Sequence, residues 1–355
     1  MEKKKKMTTE SFTDYMQRVI AMLEEEERYG TARVYYYALR SFTLFVGGGE
    51  IFFGALNRRS LKRFENHLLA ALCSWNTVST YARAIRAVYN RAVDEEIIEG
   101  DYRLFSNVFT GVTSEKKRAL PAEEMHRLLQ PAIPEGNAES GDGASVKANA
   151  TPKYHAESKD SPQSMPWHVR RSQDLLALML MLRGIPFTDL VHLRKDDLKN
   201  TATGEYLLSI RRRKTGTELN ITVSAEALEL IERYKSNHSS SPYLLFFFDG
   251  LRSEEERYRE YQLLLRKLNY SLSRLPGFCR MKDIKISSYT ARHTWATLAK
   301  YCQIPEEIIS EGLGHSSLKV TRTYLKSFEG DELAKANRMI MEYIFTGKKN
   351  TWTRG

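Results

Sequence analysis

Residues Ser288–Phe328 carry an arginine, a histidine and a tyrosine at spacings that suit phosphoryl transfer. Arg292 stands in the first turn of a predicted helix, whose N-terminus adds positive potential for an anion. His315 follows a predicted turn at Gly312 or Gly314, and Tyr324 comes nine residues after it. A guanidinium and an imidazole can stabilise charge on a phosphate while a phenol oxygen attacks the phosphorus.

The same stretch resembles the C-terminal motif set of the tyrosine recombinases, which are also called the phage integrase family. Residues 292–297 read Arg-His-Thr-Trp-Ala-Thr, residues 313–317 read Leu-Gly-His-Ser-Ser, and residues 321–324 read Thr-x-x-Tyr. Taken alone, Arg292 is more typical of a surface ion pair, His315 of a turn cap and Tyr324 of a half-buried helix position. Their order and spacing together make the resemblance specific, and it extends from Phe12 to about Ile344.

The resemblance implies a DNA strand transferase that needs neither metal nor ATP nor any other cofactor. Tyr324 is then the nucleophile that forms a 3′-phosphotyrosyl bond, and Arg292 and His315 stabilise the phosphate charge. Lys214, delivered by a β-hairpin, is then the general acid for the leaving 5′ oxygen. The sequence itself contains no P-loop and no paired-carboxylate metal site.

Two positions depart from the family pattern. An arginine usually stands three residues before the acidic position matched by Asp189, but this chain has Pro186 there. Either Arg183 reaches the phosphate instead, or another arginine substitutes, or the function is reduced; Arg183 could also be only a helix C-terminal cation. The histidine expected three residues before Arg292 is Tyr289, which can donate a hydrogen bond but carries no positive charge.

The predicted fold is mainly α with a small antiparallel β-sheet. Helical periodicity in the first third of the chain predicts a four-helix bundle, and the resemblance makes it a core-DNA-binding domain. An α/β catalytic domain of the DNA breaking-rejoining type follows, with a Gly-, Ser- and Asn-rich flexible insertion. The predicted layout is a basic tail at 1–6, the helical domain at 7–107, a linker at 108–119, the catalytic domain at 120–345 with its insertion at 131–163, and a tail at 346–355.

Residues 206–224 alternate apolar and polar side chains, which predicts a β-hairpin that turns at residues 214–217. Arg211, Arg212 and Arg213 would then lie at its tip, a shape suited to entering a DNA groove. Residues 333–345 predict an amphipathic C-terminal helix. Such a helix often docks on a neighbouring protomer in the family; the alternative is packing on its own domain.

The formal net charge of +10 favours a polyanionic partner. Helix faces and loops rich in arginine, lysine and hydroxyls suit phosphate contacts, although a solvated helix face has the same composition. The predicted DNA-binding residues are Arg83, Arg86, Lys116, Lys117, Arg118, Arg211, Arg212 and Arg213.

Three widely spaced cysteines with no metal-ligand pattern indicate reduced thiols and a cytoplasmic protein. The longest apolar run, Leu175–Leu182, is too short to span a bilayer, so no membrane partner is expected. The resemblance implies double-stranded DNA with inverted-repeat core sites as the partner, a homotetramer in the synaptic complex, and accessory DNA-bending proteins.

Three other functions remain open from the sequence. A relaxing topoisomerase would use the same chemistry but rejoin its own strand. Pro186 and Tyr289 are compatible with a DNA-binding protein of this fold with reduced catalysis. The third is a helical protein whose basic charge has a role other than DNA binding.

Overall fold

The computed structural model describes residues 11–111, 119–130, 165–314 and 330–348, with side chains in the last range from Leu333 onward. The chain folds into two compact units. The described residues of the first unit lie within 1–116 and 253–258, and those of the second lie within 117–252 and 259–355. The predicted domain boundaries stay a prediction.

Between residues 11 and 111 the first unit contains four α-helices, as the apolar periodicity predicts, and one short 3₁₀ helix at Phe53–Ala55. The helices are α1 (Phe12–Glu25), α2 (Tyr29–Phe45), α3 (Arg58–Ala70) and α4 (Trp75–Asp94). Side-chain oxygens of Ser11, Asn57 and Ser74 accept backbone N–H groups at the starts of α1, α3 and α4. Fully buried Phe12 packs edge-on against Phe42 and helps to fill the core of this bundle.

The second unit contains the sheet and the remaining helices, except for the first turn of the helix Glu254–Phe278, which belongs to the first unit. The helices are α5 (Ala122–Leu129), α6 (Trp167–Met181), α7 (Phe187–Val191), α8 (Ala225–Tyr234), α9 (Glu254–Phe278), α10 (Thr290–Tyr301), α11 (Glu306–Leu313) and α12 (Gly330–Thr346). The strands are β1 (Leu198–Asn200), β2 (Tyr206–Arg211) and β3 (Glu218–Val223). Helix α6 contains all but the last residue of the apolar run Leu175–Leu182, and it is buried along most of its length.

The three strands form one antiparallel sheet in the order β1-β2-β3. In the predicted hairpin, Tyr206 of β2 pairs with Val223 of β3, and Arg211 pairs with Glu218. The third strand, β1, is not predicted by the sequence. The structure thus confirms the predicted fold class, mainly α with a small antiparallel sheet.

The C-terminal helix α12 packs on its own chain, against α5, α10, α11 and β3. Asn337 of α12 is buried and accepts a hydrogen bond of 3.0 Å from Trp295 Nε1. Its amide nitrogen donates to the Met181 carbonyl at 2.7 Å. Within the ranges that the structure describes, no helix has the length and apolar character needed to cross a membrane.

Candidate active site

A buried ion pair ties the β-hairpin to α7. Arg212 follows the last residue of β2, and its Nε donates to Asp189 Oδ2 at 2.7 Å. The backbone N–H of Arg213 donates to Asp189 Oδ1 at 3.1 Å. Both Arg212 and Asp189 are almost fully buried, so each charge depends on the other for compensation.

Arg292 lies in the first turn of α10 and reaches two backbone carbonyls. Its Nη1 donates to Gly184 O at 3.2 Å, and its Nη2 donates to Leu313 O at 2.6 Å. Arg212 Nη1 donates to that same Leu313 oxygen. Two guanidinium groups therefore meet at the last residue of α11, where unpaired helix carbonyls attract cations.

The two guanidinium groups influence each other electrostatically. Burial lowers the pKa of Arg292 to about 10, and the positive charge of Arg212 acts in the same direction. Asp189 and Tyr289 act in the opposite direction. The cluster is consequently rich in positive charge and would be stabilised by an anion.

The hairpin loop is also joined to the end of α11. Thr215 Oγ1 donates to Gly314 O at 3.4 Å, and Gly314 has a positive φ of 63° that ends the helix. Lys214, the predicted general acid, precedes Thr215 and is exposed to solvent. The loop that carries Lys214 is therefore fixed beside the residue that precedes His315.

Arg183 does not share this cluster's interactions. It lies two residues after the end of α6, adopts a positive φ of 57° and is 1% exposed. Burial lowers the pKa of Arg183 to about 10, and the charge that opposes this shift is Glu311. Its Nε and Nη1 have no hydrogen-bond partner among the residues that the structure describes.

The remaining predicted site residues in the described ranges are mostly exposed. Tyr289 precedes α10 and is 51% exposed, with its ring centroid 6.2 Å from that of His293. In the first unit Arg83 is exposed and Arg86 is half-buried on α4. In the hairpin Arg211 and Arg213 are exposed, and Arg211 Nε donates to Gly216 O at 3.1 Å.

Several predicted residues lie outside the described ranges. They are the nucleophile Tyr324, the histidine His315, and the linker cations Lys116, Lys117 and Arg118. The predicted insertion at 131–163 and the basic tail at 1–6 lie outside as well.

Arg212 lies in the loop of the hairpin as predicted, but its side chain is buried, whereas those of Arg211 and Arg213 are exposed. The side chain is buried because it compensates the buried carboxylate of Asp189. A signal for this was present in the sequence, since Leu208, Ile210 and Arg212 occupy alternate positions of one strand and its end. Alternate residues of a strand face the same side, and Leu208 and Ile210 face the core.

Comparisons with known proteins match both units. The model of the phage integrase SAM-like domain matches residues 11–107, and that of the phage integrase family matches residues 163–330. Tyrosine recombinase XerA of Thermococcus kodakarensis is 24% identical over 292 residues, which is 82% of this chain and 84% of the relative. Tyrosine recombinase XerS of Streptococcus equi subsp. zooepidemicus is 23% identical over 262 residues, covering 71% of this chain and 67% of the relative.

Solved structures share the fold at low sequence identity. The Tn1549 transposon integrase in complex with transposon right end DNA has a TM-score of 0.51 and 14% identity, covering 92% of this chain and 98% of its own. A lambda integrase dimer bound to a COC′ core site has a TM-score of 0.50 and 13% identity, covering 90% and 99%. With the matched family models and the sequence motifs, these likenesses place the protein in the tyrosine recombinase (phage integrase) family.

Proposed function

We propose that this protein is a site-specific DNA recombinase that cuts and rejoins strands through Tyr324. The phenol oxygen of Tyr324 attacks a DNA phosphorus in line, a P–O bond to Tyr324 forms, and the bond from phosphorus to the 5′ oxygen breaks. The phenol proton passes to solvent water, and Lys214 gives one proton to the leaving 5′ oxygen and regains it from solvent. The new ester resembles the one broken, so the 5′ hydroxyl of a partner strand can reverse the attack without ATP.

The observation that carries this proposal is the arrangement around the end of α11. Arg292 donates to the last carbonyl of α11 at 2.6 Å, two residues before His315. Thr215, next to Lys214, donates to Gly314 at 3.4 Å. Arg292 and the residues that flank Lys214 and His315 are therefore close together, as transition-state stabilisation at one phosphate requires.

Double-stranded DNA is the proposed partner. The relatives are recombinases, and two of the solved neighbours are integrases bound to core-site or transposon-end DNA. The net charge of +10 and the exposed cations Arg83, Arg211 and Arg213 suit the same partner. Inverted-repeat core sites and a homotetramer in the synaptic complex complete the proposal, with accessory DNA-bending proteins as additional partners. The cytoplasm is the proposed compartment, and all three cysteines are free thiols.

The experiment is covalent trapping on a suicide substrate, a DNA duplex nicked near the cut so that the released strand diffuses away. Candidate sites come from repeats that flank the encoding gene. We expect a detergent-resistant protein–DNA adduct with the wild-type chain and none with Tyr324→Phe. DNA affinity without any adduct would indicate the reduced-catalysis alternative, and the absence of salt-dependent affinity would exclude DNA as the partner.

A second arm separates recombination from DNA relaxation. Two differently labelled duplexes with the same site are incubated together, and hybrid products are measured. A recombinase joins strands from different duplexes, whereas a relaxing topoisomerase only restores each duplex and changes the linking number of a plasmid.

A further inference from the structure

One guanidinium is missing from the place where the family pattern puts it. Pro186 occupies that position at the start of α7, and its side chain carries no charge and no hydrogen-bond donor. The acidic residue three positions later, Asp189, is present and buried. A buried carboxylate is stabilised by a cation close to it. The cation that is paired with Asp189 is therefore the candidate replacement for the missing arginine.

That partner is Arg212. Its Nε lies 2.7 Å from Asp189 Oδ2, and its Nη1 donates to Leu313 O. Arg292 Nη2 donates to the same oxygen at 2.6 Å. Because each nitrogen lies within about 3 Å of one oxygen, the two nitrogens lie within about 6 Å of each other. A phosphate group can bridge two guanidinium groups at such a separation.

The cluster around Arg212 and Arg292 has an excess of positive charge that an anion would balance. Asp189 forms an ion pair with Arg212 and acts on Arg292 only through its charge, and the positive charge of Arg212 disfavours the charged form of Arg292. Arg212 Nη2 donates no hydrogen bond to any residue in the described part of the chain. A phosphodiester would supply both the second negative charge and an acceptor for that nitrogen.

Arg183 is the other arginine near Pro186, but its surroundings differ. The charged group that acts on Arg183 is Glu311, whereas the charges that act on Arg292 are Arg212, Asp189 and Tyr289. Arg212 is therefore the arginine that shares both a hydrogen-bond acceptor, the Leu313 oxygen, and an electrostatic environment with Arg292.

We propose that Arg212 contacts the scissile phosphate and supplies the guanidinium that Pro186 cannot. This assignment rests on the proposed function. In it Asp189 holds Arg212 through Nε, Leu313 O holds it through Nη1, and Nη2 donates to a non-bridging phosphate oxygen. Arg292 donates to the same phosphate from α10.

The test compares two suicide substrates that differ in one atom group. In the first the scissile phosphate is an ordinary diester; in the second a methyl group replaces one non-bridging oxygen, which removes the negative charge. The variant is Arg212→Gln combined with Asp189→Asn, so that no buried carboxylate loses its partner. Arg212→Lys keeps the charge but not the forked donor geometry and is the second variant.

We expect the double variant to cut the diester about 100-fold more slowly than the wild-type chain. On the uncharged methylphosphonate the double variant should cut within about tenfold of the wild-type rate. This substrate lacks the negative charge that Arg212 is proposed to neutralise. The matched control is Arg233→Gln with Asp174→Asn, a more exposed pair at the same 2.7 Å distance, and it should change neither rate.

An equal loss on both substrates would overturn the assignment, because it would show that Arg212 only holds the fold. Unchanged rates would overturn it too. If the double variant does not fold, the diester-to-methylphosphonate ratio of Arg212→Lys decides: a ratio lowered at least tenfold supports phosphate contact and an unchanged ratio overturns it. A wild-type chain that cuts neither substrate would overturn the proposed function and this assignment with it.

Discussion

Gly184 lies so close to Arg292 that a β-carbon on Gly184 would come within 2.7 Å of the Arg292 Cα. Gly184 also has a positive φ of 67°, which side chains other than hydrogen disfavour. The Gly184 carbonyl accepts a hydrogen bond from Arg292 Nη1 at 3.2 Å. The turn after α6 thus sets the position of the arginine that the proposed chemistry needs.

Gly184→Ala should therefore weaken both stability and strand cleavage. The strained φ alone costs about 1–3 kcal/mol, and the backbone contact with Arg292 adds to it. We expect a lower urea midpoint and a cleavage rate on the suicide substrate reduced at least tenfold. Gly204→Ala is the matched control, since Gly204 has a φ of 80° but an added β-carbon would meet no atom within 4 Å. Equal effects of the two substitutions on cleavage would contradict the prediction.

The periodicity of the sequence predicts the long helices and strands, but it does not predict the short ones. The hairpin of β2 and β3 was predicted from its alternation, whereas the three residues of β1, Leu198–Asn200, are too few to carry a period. The pairing of β1 with β2 is decided by tertiary packing. Residues 243–248 are also too few to show a period, and they contain one partner of each of two isolated bridges and a 3₁₀ helix at Phe246–Phe248.

The site was predictable as a set of residue types but not as a set of contacts. Motif spacing identified Arg292, and its bonds to Gly184 and Leu313 depend on elements far apart in sequence. The burial of Arg212 was not predicted, because its basic neighbours suggested a solvent-exposed loop, although the strand alternation points its side chain inward. The ion pair between Arg212 and Asp189 depends on tertiary packing, so no local sequence pattern predicts it.

Lys214 can be tested as the general acid by changing the leaving group. We expect Lys214→Ala to cut ordinary DNA about 100-fold more slowly, because the 5′ oxygen then leaves without a proton. A substrate with sulfur in place of that bridging oxygen leaves readily as a thiolate and should be cut by Lys214→Ala at nearly the wild-type rate. Failure of the sulfur substrate to restore the rate would assign Lys214 to DNA binding instead. Tyr324→Phe should be inactive on both substrates.

Asn337 should be necessary for docking α12 onto its own domain. Asn337→Ala leaves Trp295 Nε1 and the Met181 carbonyl without their partner in a buried environment, which costs about 1–3 kcal/mol for each group. We expect a lower urea midpoint and faster proteolysis near the C-terminus. Asn220→Ala, at an exposed position of β3, is the control and should leave both unchanged. Unaltered proteolysis in Asn337→Ala would show that α12 is held by its apolar contacts alone.

Tyr15 gives the first unit a defined pH dependence. Burial, and then the hydrogen bond to Glu95 at 2.7 Å, raise the pKa of Tyr15 from 10.0 to about 12. A raised pKa means that the neutral phenol stabilises the folded state fully below pH 10, and this contribution is lost as the pH rises through 12. The urea midpoints of wild-type and Tyr15→Phe chains should therefore converge as the pH rises from 10 to 12. A constant difference across that range would contradict the shift.

The most direct measurement is mass spectrometry of the trapped adduct after digestion with protease and nuclease. We expect one peptide, containing Tyr324, to carry a nucleotide through a bond between the phenol oxygen and a 3′ phosphate. The same preparation from Tyr324→Phe should yield no modified peptide. A nucleotide attached to any other residue, or attached through a 5′ phosphate, would contradict the proposed chemistry.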